Sequence, residues 1–145
     1  ALKAIESYNL PVLVGIHLRD NGKLPSGEKI IDIFKKYKNK NWIGIIMACI
    51  SPGAYELVIN DLQKIDIPYG FKINAFKKIP EGYTVASKDQ WGDAGNPNTV
   101  LGKNTDLNES KFYEYAKKFK ENGATILGGC CEIRPSHIKE ISKLK

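Results

Sequence analysis

The stretch Trp42-Ile43-Gly44-Ile45-Ile46-Met47-Ala48-Cys49-Ile50-Ser51-Pro52-Gly53 decides the fold. Its first half runs apolar without interruption, which a strand with one wet face would not do. The run is far too short for a membrane span and suits a strand covered on both sides. Pro52-Gly53 then breaks the extended segment. Residues 11–16 and 124–128 have the same near-continuous character, whereas residues 69–74 alternate more.

Helical periodicity fills the intervals. Residues 28–37 place Ile30, Ile31, Phe34 and Tyr37 on one face, with Ser26 as the expected N-cap. Residues 54–62 repeat Ala54, Leu57, Val58 and Leu62, and residues 110–121 repeat Phe112, Tyr115, Ala116 and Phe119 before the stop at Asn122-Gly123. Pro135-Ser136 opens a last short helix carrying Ile138, Ile141 and Leu144, and residues 1–8 read as the tail of another.

Strand and helix therefore alternate four times, at spacings of roughly 30 residues except across the third connection. That order calls for a parallel sheet with right-handed crossovers. Two α/β architectures suit it, a small open doubly wound sheet or part of a TIM-type (β/α)₈ barrel. A complete barrel takes ~250 residues. The 145 residues here would supply about half of one, some four β/α units in a single domain over residues 1–145. A start inside a helix without Met is expected of a fragment or processed chain. The third connection, residues 75–108, is long and rich in Gly and Pro, with Tyr83 and Trp91 in it. It leaves the carboxyl edge of the sheet, where α/β proteins place their sites.

Composition narrows the class. With 42% hydrophobic and 26% charged residues the chain reads as globular. The net charge of +6 invites a nucleic-acid reading, but of the 22 basic residues only Arg19 and Arg134 are Arg, leaving 22 − 2 = 20 scattered lysines. Without clustered arginine this is a solvated lysine coat. No apolar stretch approaches the ~20 residues of a bilayer span, and no basic-then-apolar leader opens the chain. The expectation is a cytoplasmic protein that binds neither membrane nor nucleic acid.

Three cysteines, two of them adjacent, make no disulfide framework and fit a reducing compartment. All three fall at the carboxyl edge: Cys49 ends the second strand, and Cys130 and Cys131 end the fourth. One buried Cys is often only a small hydrophobe. Three sulfurs converging from distant segments are the pattern of a thiolate metal site, and Zn2+ is its natural guest. A redox pair is the weaker reading, because no Cys-x-x-Cys occurs. Neighbours on a strand point to opposite sides, so the backbone must leave strand geometry at Cys130-Cys131, and Gly128-Gly129 is expected to supply that freedom. Three protein ligands leave a fourth tetrahedral position open, the mark of a catalytic site.

The segment Gly123-Ala124-Thr125-Ile126-Leu127-Gly128-Gly129-Cys130-Cys131, followed by Pro135-Ser136-His137-Ile138, closely resembles the terminal signature of the homocysteine S-methyltransferase family. The segment from Ile43 to Pro52 resembles that family's second metal motif, and the resemblance spans the chain as the family's C-terminal half. It implies a (β/α)₈ barrel whose last four strands are those found here, with Cys49, Cys130 and Cys131 as zinc ligands. It further implies methyl transfer to the thiol of homocysteine, giving methionine, from a sulfonium, quaternary ammonium or folate donor. Asn74 matches the position of a site-lining Asn in the family, its plain alternative being a turn residue. Ala48 stands where the family commonly has Asn, and Glu132-Ile133-Arg134 where small or hydroxyl residues are usual.

Other residues carry less. His17 ends the first strand on the same edge and could touch substrate, or be a half-buried, hydrogen-bonded histidine. His137 reads as structural, Tyr83 and Trp91 as covers for a ligand or packing for their loop, and Asp89 and Asp93 as turn residues. Two rival readings accompany the enzyme: a non-catalytic zinc-binding fragment or subunit that needs a partner half, and a flavodoxin-like domain with incidental cysteines. A half-barrel exposes both edge strands, so a homodimer or pairing with a missing N-terminal half is expected.

Overall fold

A computed structural model describes residues 8–80 and 97–144. Strands β1 (Val12–Ile16), β2 (Trp42–Ile50), β3 (Tyr69–Ile73) and β4 (Ile126–Gly129) form one all-parallel sheet in the order β1-β2-β3-β4. Among the described strands the order never reverses, whereas a flavodoxin-like winding requires the order 2-1-3-4-5. Right-handed crossovers in a sequential sheet all fall on one side. The packing agrees, because helices before and after β3 meet the same ring. Tyr55 of α2 (Pro52–Glu56) and Phe119 of α5 (Glu109–Glu121) lie 5.4 and 5.5 Å from Phe71, centroid to centroid.

The alternation of the strands follows from this. Ile45, Met47, Phe71 and Ile73 point into the helix-covered core and are fully buried. On the opposite face Leu13 and Ile126 come together over Gly44, and Lys72, in register with Ala48 and Gly128, is exposed. The result is an α/β wall of four strands whose connection pattern fits a partial barrel. The third run, which alternates most, is an inner strand: its Tyr69, Phe71 and Ile73 face the core while Lys72 does not.

Helix boundaries depart from expectation where capping decides. Helix α1 spans Ile30–Tyr37 with Lys29 at the N-cap. Ser26 instead bonds the Glu28 carboxylate, and Tyr37 turns outward. Pro52 opens α2 rather than delaying it, since proline is suited to the first helical position and Ser51 Oγ caps the Ala54 amide at 3.2 Å. The expected helix over 54–62 is two pieces, α2 and α3 (Ile59–Leu62), and Leu57 at the break is exposed. Helix α5 starts at Glu109 because Asn108 caps Lys111 N at 3.0 Å. In α6 (Pro135–Ile141) His137 and Ile141 are buried, while Ile138 faces solvent.

The described part of the long third connection has structure of its own. Its return arm holds helix α4 (Pro97–Leu101) and an antiparallel bridge between Phe76 and Lys103. Tyr83, Asp89, Trp91, Asp93 and residues 1–7 of the helix tail expected over 1–8 lie outside the described residues, and Tyr8 stands in a turn. No described helix is long and apolar enough to cross a membrane.

Candidate metal centre

The carboxyl end of β3 is the scaffold of the site, because it bonds to both cysteine-bearing segments. Asn74 N donates to Ile50 O at 2.9 Å, Cys130 N to Ile73 O at 2.7 Å and Ala75 N to Cys131 O at 2.9 Å. These three bonds draw the end of β2 and the turn after β4 toward one point.

Local backbone then aims the sulfurs. The β2–β3 register slips between Ala48 and Ile50, and at the slip Cys49 has φ +54°. A left-handed conformation at a residue with a Cβ costs about 1–2 kcal/mol, so neighbouring groups must hold it. Asn74 does so: 2% exposed, it donates Nδ2 to Cys49 O at 2.8 Å, lies 3.8 Å from Cys49 Sγ, and accepts Phe76 N on Oδ1 at 3.2 Å.

Cys130 and Cys131 sit just past β4 in a turn, and the departure from strand geometry comes at Glu132, with φ +62°. Gly128 and Gly129 lie inside β4 and have no positive φ, so the expected glycine hinge is corrected. Gly129 is needed for space instead: a Cβ there would stand 2.3 Å from Ile133 Cγ2. The returning turn packs directly on the strand, which a larger residue would push away.

The three sulfurs meet. Cys49 Sγ is 3.7 Å from Cys131 Sγ, Cys130 Sγ is 3.9 Å from Cys131 Sγ, and all three lie within 4.8 Å of one another. Thiolates bound to zinc at ~2.3 Å along tetrahedral directions stand about 3.8 Å apart, so the spacing fits such an ion. It is far beyond a disulfide bond, and all three thiols are free. Burial, reinforced by Cys130 and Cys131, pushes the Cys49 thiol up to about 12, and burial raises Cys131 as well. Without a cation Cys49 and Cys131 therefore keep their protons; a divalent ion reverses that preference.

His17 follows β1 and comes level with Ala48, whose carbonyl its Nδ1 meets at 3.2 Å. It is exposed, not half-buried, and is not one of the residues gathered around the sulfurs. His137 is structural as expected. Its Nδ1 accepts the Arg134 amide at 3.2 Å and its Nε2 pairs with Leu107 O at 3.1 Å, in a site 4% exposed. Glu132, which the sequence marks only as a departure from the family pattern, accepts Asn98 Nδ2 at 3.0 Å and pairs with Arg134 at 3.3 Å. It thereby ties α4 to the cysteine turn. That link crosses 34 residues, and no local spacing announces it.

Comparison with known proteins supplies the family. The family model described as Homocysteine S-methyltransferase matches residues 1–144. Among relatives, Homocysteine S-methyltransferase 1 of Saccharomyces cerevisiae is 29% identical over 152 residues, covering 97% of this chain and 43% of that protein. Homocysteine S-methyltransferase 3 of Arabidopsis thaliana is 24% identical over 140 residues, covering 96% and 36%, and Homocysteine S-methyltransferase 1 of Zea mays is 26% identical over 142 residues, covering 96% and 39%. The chain thus spans about two-fifths of the length of the curated relatives it matches. With a matching model across 144 of its residues and its cysteines gathered at one sheet edge, the chain belongs to the homocysteine S-methyltransferase family.

Proposed function

We propose that this chain is the carboxyl-terminal half of a (β/α)₈-barrel S-methyltransferase, a single domain that carries the metal site of an enzyme converting homocysteine to methionine. The observation that carries the reading is the convergence of Cys49, Cys130 and Cys131 at tetrahedral-edge spacing. These residues would hold zinc through three thiolates. Bound there, zinc would supply an open position at which an incoming thiol loses its proton, since coordination favours the thiolate and only the thiolate is a good nucleophile.

The chain's own residues prepare that chemistry. Asn74 fixes the Cys49 backbone in its left-handed conformation and brings an N–H toward its sulfur. An N–H near a metal-bound sulfur draws charge from it and holds its orientation. His17, on the same edge, is proposed as a substrate contact, and residues 75–108 as the loop over the site. The methyl donor is a small sulfonium, quaternary ammonium or folate compound, and the setting is cytoplasmic.

A second reading has its own support: a zinc-binding subunit that turns over only with a partner. The chain spans 36–43% of its relatives, and β1 and β4 are the outer strands of an open sheet. A homodimer or a separate N-terminal half would cover them. One experiment separates the readings: zinc stoichiometry of the purified chain, with methyl transfer to homocysteine assayed against each donor class. Turnover supports the enzyme. Zinc without turnover, restored by an N-terminal half, supports the subunit, and absence of zinc overturns both.

A further inference from the structure

Glu132 follows Cys131 directly and has a left-handed backbone, φ +62°, although it carries a Cβ. Such a conformation persists only where the surroundings impose it. The Glu132 side chain is 13% exposed, and each carboxylate oxygen has one partner. Oε1 accepts Asn98 Nδ2 at 3.0 Å, and Oε2 accepts Arg134 Nη2 at 3.3 Å. The Arg134 side chain is 63% exposed, so Asn98 is the more enclosed of the two partners. A carboxylate set this deep is costly unless it is bonded.

Asn98 belongs to α4, on the returning arm of the third connection. Its carbonyl accepts Gly102 N at 3.0 Å, and Gly102 O accepts Lys77 N at 3.0 Å from the outgoing arm. Two residues on, Asn104 N donates to Ala75 O at 2.8 Å, and Ala75 N donates to Cys131 O at 2.9 Å. These bonds close a ring that runs from Cys131 through Ala75, Asn104, Gly102 and Asn98 to Glu132, and so back to Cys131. The Glu132–Asn98 bond is the one side-chain link in it. In such a ring, displacing the arm strains the cysteine turn, and displacing the turn strains the arm.

We propose that Glu132 is a positioning residue that couples the order of the arm over residues 98–104 to the placement of Cys130 and Cys131. The ring has two arrangements, bonded and released, and both ends bias it. An ion held by the cysteines steadies the turn and with it the arm. A bonded arm holds two of the ligands ready for the ion, because coupling between two sites is reciprocal. The link to an ion rests on the proposed function, whereas the link between arm and turn does not.

The test compares wild type with Glu132→Ala, Glu132→Gln and Asn98→Ala, each without and with zinc. Two rates are read: hydrogen exchange at the Gly102 and Asn104 amides, and alkylation of Cys130 and Cys131. Without metal, both alanine variants are expected to exchange and to be alkylated about tenfold faster than wild type. Asn98 stands 130 − 98 = 32 residues before Cys130, so faster alkylation in Asn98→Ala reads the coupling itself. It also keeps the test open if Glu132→Ala does not fold. Glu132→Gln retains an acceptor for Asn98 and is expected to restore most of the protection. Zinc is expected to slow exchange of the arm in wild type and Glu132→Gln, with that slowing reduced in both alanine variants. If no zinc is taken up while the metal-free contrasts hold, the positioning role stands and the metal reading falls. Wild-type rates in Asn98→Ala, no rescue by glutamine, or equal slowing by zinc in every variant overturns the inference.

Discussion

Asn74 donates its side-chain amide to the carbonyl of Cys49 at 2.8 Å, and Cys49 is the one residue of β2 with a left-handed backbone. The bond couples the end of β3 to the orientation of a sulfur on β2. Asn74→Ala leaves the Cys49 carbonyl and the Phe76 amide without this partner. The expected cost is about 1–3 kcal/mol in denaturant unfolding, with zinc affinity falling about 10–100-fold. An Asn74→Ala chain that unfolds at the wild-type midpoint and holds zinc as tightly would show that the clamp is idle.

Metal uptake carries a pH signature. The Cys49 thiol is pushed up to about 12 and Cys131 is raised, so at neutral pH these two are protonated without metal and zinc must displace their protons. The sign follows: lowering pH weakens binding. With Cys49 and Cys131 each giving up a proton, apparent affinity falls by up to about a hundredfold per pH unit. Competition with a chelator of known affinity between pH 6 and 8 reads this directly, and a flat profile would argue against thiolate ligation.

Tyr55 bears a buried hydroxyl with no hydrogen-bond partner among the described residues, set among Phe71 and Phe119. Burial, with a smaller contribution from Tyr69, raises its pKa. A raised folded pKa leaves stability intact below the unfolded value near 10 and removes it as pH climbs above that value. Tyr55→Phe deletes the unpaired group and keeps the ring contacts. It is expected to stabilise the chain by about 1 kcal/mol and to move alkaline unfolding to higher pH. A loss of stability on substitution would reveal a partner for the hydroxyl.

At Gly129 the close approach of Ile133 leaves no room for a Cβ. Gly129→Ala should displace the Cys130-Cys131 turn, costing about 1–3 kcal/mol as overpacking does, and lower zinc content. Gly53→Ala, where a Cβ meets nothing within 4 Å, is the control expected to change neither. Equal behaviour of the two variants would mean that the turn adjusts freely.

How much of this is legible in the sequence depends on range. The four strands are readable because continuous apolar runs have one explanation in a parallel sheet, and β1 to β4 fall within two residues of them. The convergence of Cys49, Cys130 and Cys131 is readable because every strand of a parallel sheet ends on the same edge. Capping misleads where two signals compete, as at Pro52, which can break a strand or start a helix. The φ values of Cys49 and Glu132 are not legible: the Cys49 carbonyl is held by Asn74, 25 residues away, and no local pattern announces the conformation of Glu132. The Gly128-Gly129 pair suggests a hinge by its composition alone, whereas the fold needs space for Ile133 there, and that neighbour is not visible from the spacing.

The central claim is that three sulfurs hold one ion and leave it a free position. X-ray absorption at the zinc edge on the zinc-loaded chain tests it most directly. The account predicts a shell of three sulfurs at ~2.3 Å with a lighter fourth ligand, and a fourth sulfur in its place once homocysteine is added. A shell of nitrogen and oxygen alone, or one that does not change with homocysteine, would contradict it.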